Sequence, residues 1–300
     1  MKPPPFTYHA PATLAETLEV LAELGEDAKV LAGGQSLIPL LNMRLAAPAH
    51  LVDVNGVSEL DVVDVGPDEV RVGAIARHAR IERDDGAAAA CPLLRQALRL
   101  VAHAVIRNRG TTCGSLAHAD PAGEMTAVLA VLGGTVRLAS AAAGRVTRRD
   151  LTAGKFFVAP LESSLRPGEL LESAGFPRTP ASTGTAFAEV ARRHGDYALC
   201  GIAALVDLDA GGEIASARVG TISVTPTPLV VDLTDVLAGV PPARADLAAA
   251  REKVMAHVDP EADLHASAAY RRHLAGVLTE RAVRQAAARS AHAPAERGAA

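Results

Sequence analysis

The stretch Leu31-Ala32-Gly33-Gly34-Gln35-Ser36-Leu37 follows a short apolar run, Ala28 to Leu31, that reads as a strand. It opens a segment, Ser36 to Met43, that reads as a short helix. Adjacent glycines let the backbone approach an anion closely and expose successive N–H groups. Ser36 at the helix start can add a hydroxyl, and a helix N-terminus favours negative charge. A phosphate cradle and a plain strand-to-helix turn both satisfy this spacing. A second stretch, Arg109-Gly110-Thr111-Thr112-Cys113-Gly114-Ser115-Leu116-Ala117-His118-Ala119-Asp120-Pro121, repeats the theme. It reads as a polar loop from Arg109 to Ser115 whose amides and hydroxyls can surround a pyrophosphate. Glu124, in the first turn of the next helix, is placed either to accept from ribose hydroxyls or to complement the helix dipole. His118 reads first as a satisfied structural residue, and Asp120 before Pro121 as a turn former. Cys113 reads as a small space-filler rather than a redox thiol.

Outward from these stretches the pattern is mixed. Thr13 to Leu24 carries Leu14, Leu18, Leu21 and Leu24 on one face, with Thr13 and Glu16 as a capping box and Gly25 as the stop. Leu51–Val54, Leu60–Val65 and Val70–Ile75 read as strands, Pro92–His103 and Gly123–Leu132 as helices, and Thr135–Leu138 as a strand. Leu165 to Pro180 reads as a boundary. Beyond it Ala186–Val190, Leu199–Asp207 and Ile214–Val224 read as antiparallel strands with Gly211-Gly212 turning a hairpin, and Asp246–Val258 and Ser267–Ala288 as helices. The expected division is residues 1–176, 177–289 and a disordered tail, 290–300.

Composition narrows the function. Among 300 residues, 30 Lys+Arg face 34 Asp+Glu, a net charge of −4, which disfavours a nucleic-acid binder. Three Tyr, five Phe and no Trp leave little for stacking bases. The 49% hydrophobic content suits a buried core. Cys91, Cys113 and Cys200 are too sparse and too far apart for a disulfide scaffold or a cluster of thiolate ligands. No apolar signal core opens the chain and no run of about 18 apolar residues spans a membrane. A soluble protein of the reducing cytoplasm is expected. The dinucleotide motif G-x-G-x-x-G, the P-loop, H-E-x-x-H and G-x-S-x-G are absent.

Together the two stretches resemble the FAD-binding medium subunit of molybdenum hydroxylases of the aerobic carbon monoxide dehydrogenase and xanthine dehydrogenase type. The resemblance rests on Ala32-Gly33-Gly34-Gln35-Ser36-Leu37-Ile38-Pro39, Ile106-Arg107-Asn108-Arg109-Gly110-Thr111 and Gly114-Ser115-Leu116-Ala117-His118-Ala119-Asp120-Pro121. Pro167-Gly168-Glu169-Leu170-Leu171 and Arg192-Arg193-His194-Gly195-Asp196-Tyr197-Ala198 extend it, and it runs in order from about Phe6 to Ala288. It implies an α+β fold: a two-subdomain FAD-binding domain of the PCMH type, then a C-terminal domain with a small antiparallel sheet and helices. It implies non-covalent FAD on Ala32, Gly33, Gly34, Gln35 and Ser36 and on Thr111, Thr112, Cys113, Gly114 and Ser115. Glu124 matches an acidic position near the ribose. Leu171 matches an apolar backbone position beside the flavin ring, and Tyr197 lies in a segment passing near that ring. No side chain need act as catalytic acid or base. The implied partners are a small iron–sulfur subunit with [2Fe-2S] clusters and a large molybdopterin subunit, in a dimer of three-subunit units.

One departure stands out. The family has glycine where this chain has Cys113. If that position needs positive φ, cysteine strains it by about 1–2 kcal/mol, and Cys113→Gly is expected to bind FAD as tightly or more tightly. Two other readings compete: a stand-alone flavin oxidase tethering FAD through Cys113 or His118, and a non-catalytic assembly subunit that has lost FAD.

Overall fold

The computed structural model describes residues 2–142 and 144–290. Three larger sheets, a two-stranded ribbon and the helices between them form the described chain. The first sheet is parallel, with strands β1 (Thr7–His9), β2 (Ala28–Leu31) and β3 (His50–Asp53) in the order β1-β3-β2. The helix Leu14–Leu24 covers it with Leu14, Leu18 and Leu21, as their spacing predicts. Thr13 Oγ1 accepts from Glu16 N, Glu16 Oε2 reaches back to accept from Ala12 N, and Gly25 (φ +54°) stops the helix by donating to Leu21 O.

The second sheet is antiparallel, with β4 (Val63–Val65), β5 (Glu69–Gly73), β6 (Thr135–Ala142), β7 (Arg145–Thr152) and β10 (Glu169–Pro177) in the order β4-β5-β10-β6-β7. A two-stranded ribbon, β8 (Phe157–Ala159) and β9 (Glu162–Ser163), lies between β7 and β10 in sequence. Residues 165–180, expected as a boundary, thus contain the middle strand of a sheet. Its prolines and Gly168 punctuate the ends, while Leu170, Leu171, Ala174 and Phe176 between them are buried. The chain crosses to the last sheet only between Pro177 and Thr183.

The expected helix Pro92–His103 stops at Leu98. Ala102 takes φ +43°, and a separate helix runs Ala104–Arg107. The expected strand Leu60–Val65 is likewise only Val63–Val65, because Ser58–Leu60 forms a 3₁₀ turn that buries Leu60. Apolar periodicity is shared by a buried turn and a strand, so neither boundary was set by pattern alone.

The third sheet is antiparallel, in the order β11 (Thr183–Ala191), β12 (Ala198–Leu208), β13 (Ile214–Ile222), β14 (Leu229–Asp232), with the hairpin at Gly211-Gly212 as expected. The helices Leu247–His257 and Ala268–Ser290 cover one face. The other face meets the helix Glu124–Leu132, whose Val131 Cβ would lie 3.0 Å from a Cβ on Gly220. That helix is apolar nearly all round, as an element packed from both sides must be. Its N-terminal end therefore lies at the seam between the second and third sheets. Ser290, expected to begin a tail, ends the last helix and is buried, its Oγ accepting from Gly184 N and donating to Val206 O. The rest of that expected tail, 291–300, lies outside the described residues.

Candidate functional site

β2 and β3 run parallel, so the segments leaving them, Ala32–Ser36 and Asn55, emerge at one edge, where open sheets bind ligands. Gly33 is buried, and a Cβ on it would lie 2.5 Å from Arg109 O and 2.8 Å from Gly110 Cα. The two glycine stretches are in backbone contact there, and only hydrogen fits between them. Gly34 takes φ +72°, where a side chain is strained. Gln35 Nε2 closes the turn by donating to Gly33 O at 3.1 Å. The amides of Gly33, Gly34, Gln35 and Ser36 donate to no acceptor among the described residues, and the Ser36 hydroxyl makes no capping bond. A run of unpaired N–H groups is an anion site by its own chemistry.

The second stretch is not the expected loop. The helix Thr112–His118 starts inside it, with Thr111 as N-cap and Thr111 Oγ1 accepting from Gly114 N at 3.1 Å. A Cβ on Gly114 would lie 2.5 Å from that same oxygen, so this glycine makes room for the cap. The Cys113 amide, at the second helical position, has no acceptor among the described residues, whereas that of Thr112 faces Ala76 O across the antiparallel bridge between Arg77 and Thr111. Thr112 Oγ1 is buried 3.1 Å from His78 Nδ1. Burial, and then Arg107, lowers the His78 pKa to about 4, so the ring is neutral at pH 7. Ser115 Oγ, 3.6 Å from where a Cβ on Gly123 would lie, makes no hydrogen bond among the described residues.

Cys113 is helical with negative φ, so the feared strain does not arise. Its buried thiol donates to Val72 O at 3.3 Å, and burial raises its pKa. The side chain fills core beneath the helix, and what remains for a ligand is the amide. The expected gain from Cys113→Gly is therefore replaced by an expected loss of packing.

Beyond this helix the chain turns at Asp120, whose Oδ1 accepts from Ala122 N at 2.8 Å, the turn role its place before Pro121 suggests. His118 Nε2 lies 3.9 Å from Asp120 Oδ2. Glu124 follows at the seam, and Glu189 of β11 approaches it from the other domain. Burial, reinforced by Asp120, raises the Glu124 pKa to about 7. Burial, reinforced by Glu124, raises that of Glu189 to about 8. Glu189 Oε2 is buried without a partner. Tyr197 projects here from the β11–β12 connection with 69% of its surface exposed. Its hydroxyl pKa is raised by burial of that end and by Asp120 and Glu124.

The sequence-predicted residues Ala32–Ser36 and Thr111–Ser115 thus come together, with Glu124 and Tyr197 alongside. Leu171 does not join them by its side chain, which is in the core. It sits where β10 bulges between Leu171 and Ser173, and the Glu172 carbonyl there accepts from Ala74 N. Sequence reasoning missed Asn55, Arg77 and His78. Asn55 Nδ2 donates to Ala32 O at 2.9 Å, Arg77 Nη1 to Arg109 O at 2.6 Å, and His78 N to Gly110 O at 2.9 Å. A polar residue directly after an apolar strand, as Asn55 is, was the one available signal.

Residues 4–179 match the family model of the FAD binding domain in molybdopterin dehydrogenase, and residues 185–286 that of the CO dehydrogenase flavoprotein C-terminal domain. The chain belongs to this flavoprotein family. Caffeine dehydrogenase subunit beta of a Pseudomonas species is 39% identical over 99% of this chain and 100% of its own length. The carbon monoxide dehydrogenase medium chain of Afipia carboxidovorans is 35% identical over 97% and 99%. Among solved structures, quinoline 2-oxidoreductase from Pseudomonas putida 86 superposes with a TM-score of 0.88 at 38% identity, covering 96% of this chain and 99% of that one. The α+β fold, with an FAD-binding domain followed by a C-terminal flavoprotein domain, is that of the carbon monoxide dehydrogenase medium subunit.

Proposed function

We propose that this chain is the FAD-carrying subunit of a molybdenum hydroxylase complex. FAD, when bound, gathers electrons arriving singly from iron–sulfur clusters and delivers them in pairs to an external acceptor. The observation that carries this reading is the set of amides, Gly33–Ser36 and Cys113, left without acceptors among the described residues on two backbones that touch at Gly33. A pyrophosphate supplies the negative oxygens those groups lack. In this reading Ala32–Ser36 and Thr111–Ser115 hold the pyrophosphate, through amides and the Ser36 and Ser115 hydroxyls. Glu124 accepts from ribose hydroxyls, and Leu171 and Tyr197 mark the ring end. Residues 1–176 form the FAD-binding domain and 177–289 the C-terminal one.

The partners are a small iron–sulfur subunit and a large molybdopterin subunit, in a dimer of three-subunit units. Relatives named as medium, alpha or beta subunits of multi-subunit dehydrogenases support this. The complex belongs in the cytoplasm, and no described helix is long and apolar enough to cross a membrane. FAD is held without a covalent bond. The thiol of Cys113 is committed to Val72 O in the core, which speaks against a tether through that residue. A subunit that had lost FAD has no use for unpaired amides on two touching backbones, which speaks against the assembly-only reading. Co-expression with its neighbouring subunits is expected to yield one complex containing flavin, iron and molybdenum. The isolated chain is expected to take electrons from chemical reductants but to oxidise no purine, aldehyde or carbon monoxide. Substrate turnover by the chain alone, free of iron and molybdenum, would overturn the proposal.

A further inference from the structure

Neither glycine stretch holds the other by its own side chains. What joins them is a polar chain from outside both. Tyr8 on β1 donates its hydroxyl to Asp53 Oδ2 at 2.6 Å. Asp53 Oδ1, at the end of β3, accepts from Asn55 N at 2.9 Å and also from Asn55 Nδ2. The same Asn55 Nδ2 donates to Ala32 O, at the head of the first stretch. Asn55 Oδ1 accepts from Arg77 Nη2. Arg77 Nη1 donates to Arg109 O, the carbonyl that faces Gly33 across the contact. Arg77 also pairs with Thr111 as an isolated antiparallel bridge. One amide and one guanidinium thus connect a carbonyl at the head of the first stretch, Ala32 O, to one at the head of the second, Arg109 O.

We infer that Asn55 and Arg77 are positioning residues for the dinucleotide: together they fix the spacing between the two glycine stretches that grip its pyrophosphate. The inference rests on the FAD reading. Its physical basis is the fork of Arg77. A planar guanidinium reaches two acceptors at a fixed separation, which an ammonium cannot copy. Asn55, with an acceptor toward Arg77 and a donor toward Ala32, passes that constraint to the first stretch. Arg77 is half-buried; burial and Arg109 lower its pKa, and Asp61 and Asp53 act in the opposite sense. Because the two side chains act through one linkage, removing either releases the same restraint.

The test uses the full-length chain, with FAD and ADP affinities read by fluorescence quenching and calorimetry, each well below the variant's own Tm. Arg77→Lys keeps the charge and loses the fork; Asn55→Ala cuts the link. Each is expected to weaken both ligands about tenfold to a hundredfold. The double variant is expected to be no weaker than the worse single one. Riboflavin, which lacks the pyrophosphate, is expected to show no such difference between wild type and variants. Variants that lower Tm but keep wild-type affinities would make the linkage merely structural and overturn the inference. So would losses that multiply in the double variant. If Asn55→Ala fails to fold, Arg77→Lys still decides it. A wild-type chain with no affinity for FAD would overturn the FAD reading itself, and the bridge with it, and is distinguished by that control.

Discussion

The two glycine stretches look alike in sequence and are built differently. Ala32–Ser36 is a true loop: Gly34 is left-handed, four amides are unpaired, and its place depends on Gly33 packing against Arg109 and Gly110. Thr111–Ser115 is the first turn of a helix, with Thr111, Thr112 and Cys113 buried beneath it. In the first, glycine allows two backbones to meet; in the second, Gly114 leaves room for a cap. Glycine content therefore flags backbone crowding, and what crowds the backbone decides what a substitution breaks.

The largest effect is expected in the loop. Gly33→Val places a side chain inside Arg109 O, so the stretches must part, and FAD binding measured by equilibrium titration is expected to be lost. Wild-type binding by this variant would reduce the first stretch to a turn. In the helix start, Ser115→Ala removes one hydroxyl that the account gives to a charged ligand, about 1.5–3 kcal/mol of affinity. An unchanged Kd would leave the hydroxyl outside the site. Cys113→Gly separates packing from binding. Deleting a buried side chain and adding helical glycine is expected to cost about 1–3 kcal/mol in denaturant unfolding while the FAD Kd holds. Tighter binding with unchanged stability would return the thiol to the ligand's side.

The smallest effect concerns the seam beside the second stretch. Folded Glu124 and Glu189 keep their protons up to about pH 7 and about pH 8. Unfolded, they release them near the ordinary carboxyl value. In that window the folded state binds more protons, so its stability falls as pH rises. Neutral buried His78 acts in the opposite sense, from about pH 4 to its ordinary 6.5. The carboxyl effect therefore stands alone above that. Glu189→Gln is expected to flatten the decline in apo-chain Tm between pH 6.5 and 8, by about 1 kcal/mol at the upper end. A slope as steep as wild type would remove Glu189 from the seam's proton balance.

Much of this is legible in the sequence. The apolar spacing of Leu14, Leu18 and Leu21, the hairpin at Gly211-Gly212 and the strand-to-helix turn at Gly33-Gly34 read correctly, because each is a local rule with a local cause. What was hidden depends on distant partners. β10 was masked by the prolines and glycine at its ends and is a strand because β5 and β6 lie on either side. The loop-to-helix change at Thr112 follows from a cap whose glycine imitates a loop. Asn55 and Arg77 are 22 residues apart and carry no motif, so only the fold brings them to the same two carbonyls.

The central claim is that two glycine stretches with touching backbones hold FAD without a covalent bond. Acid precipitation of the purified, flavin-saturated chain tests it most directly. The account predicts yellow flavin in the supernatant, one FAD per chain, and a colourless pellet. A chain that takes up no flavin, or flavin that stays with the precipitated polypeptide, would contradict it.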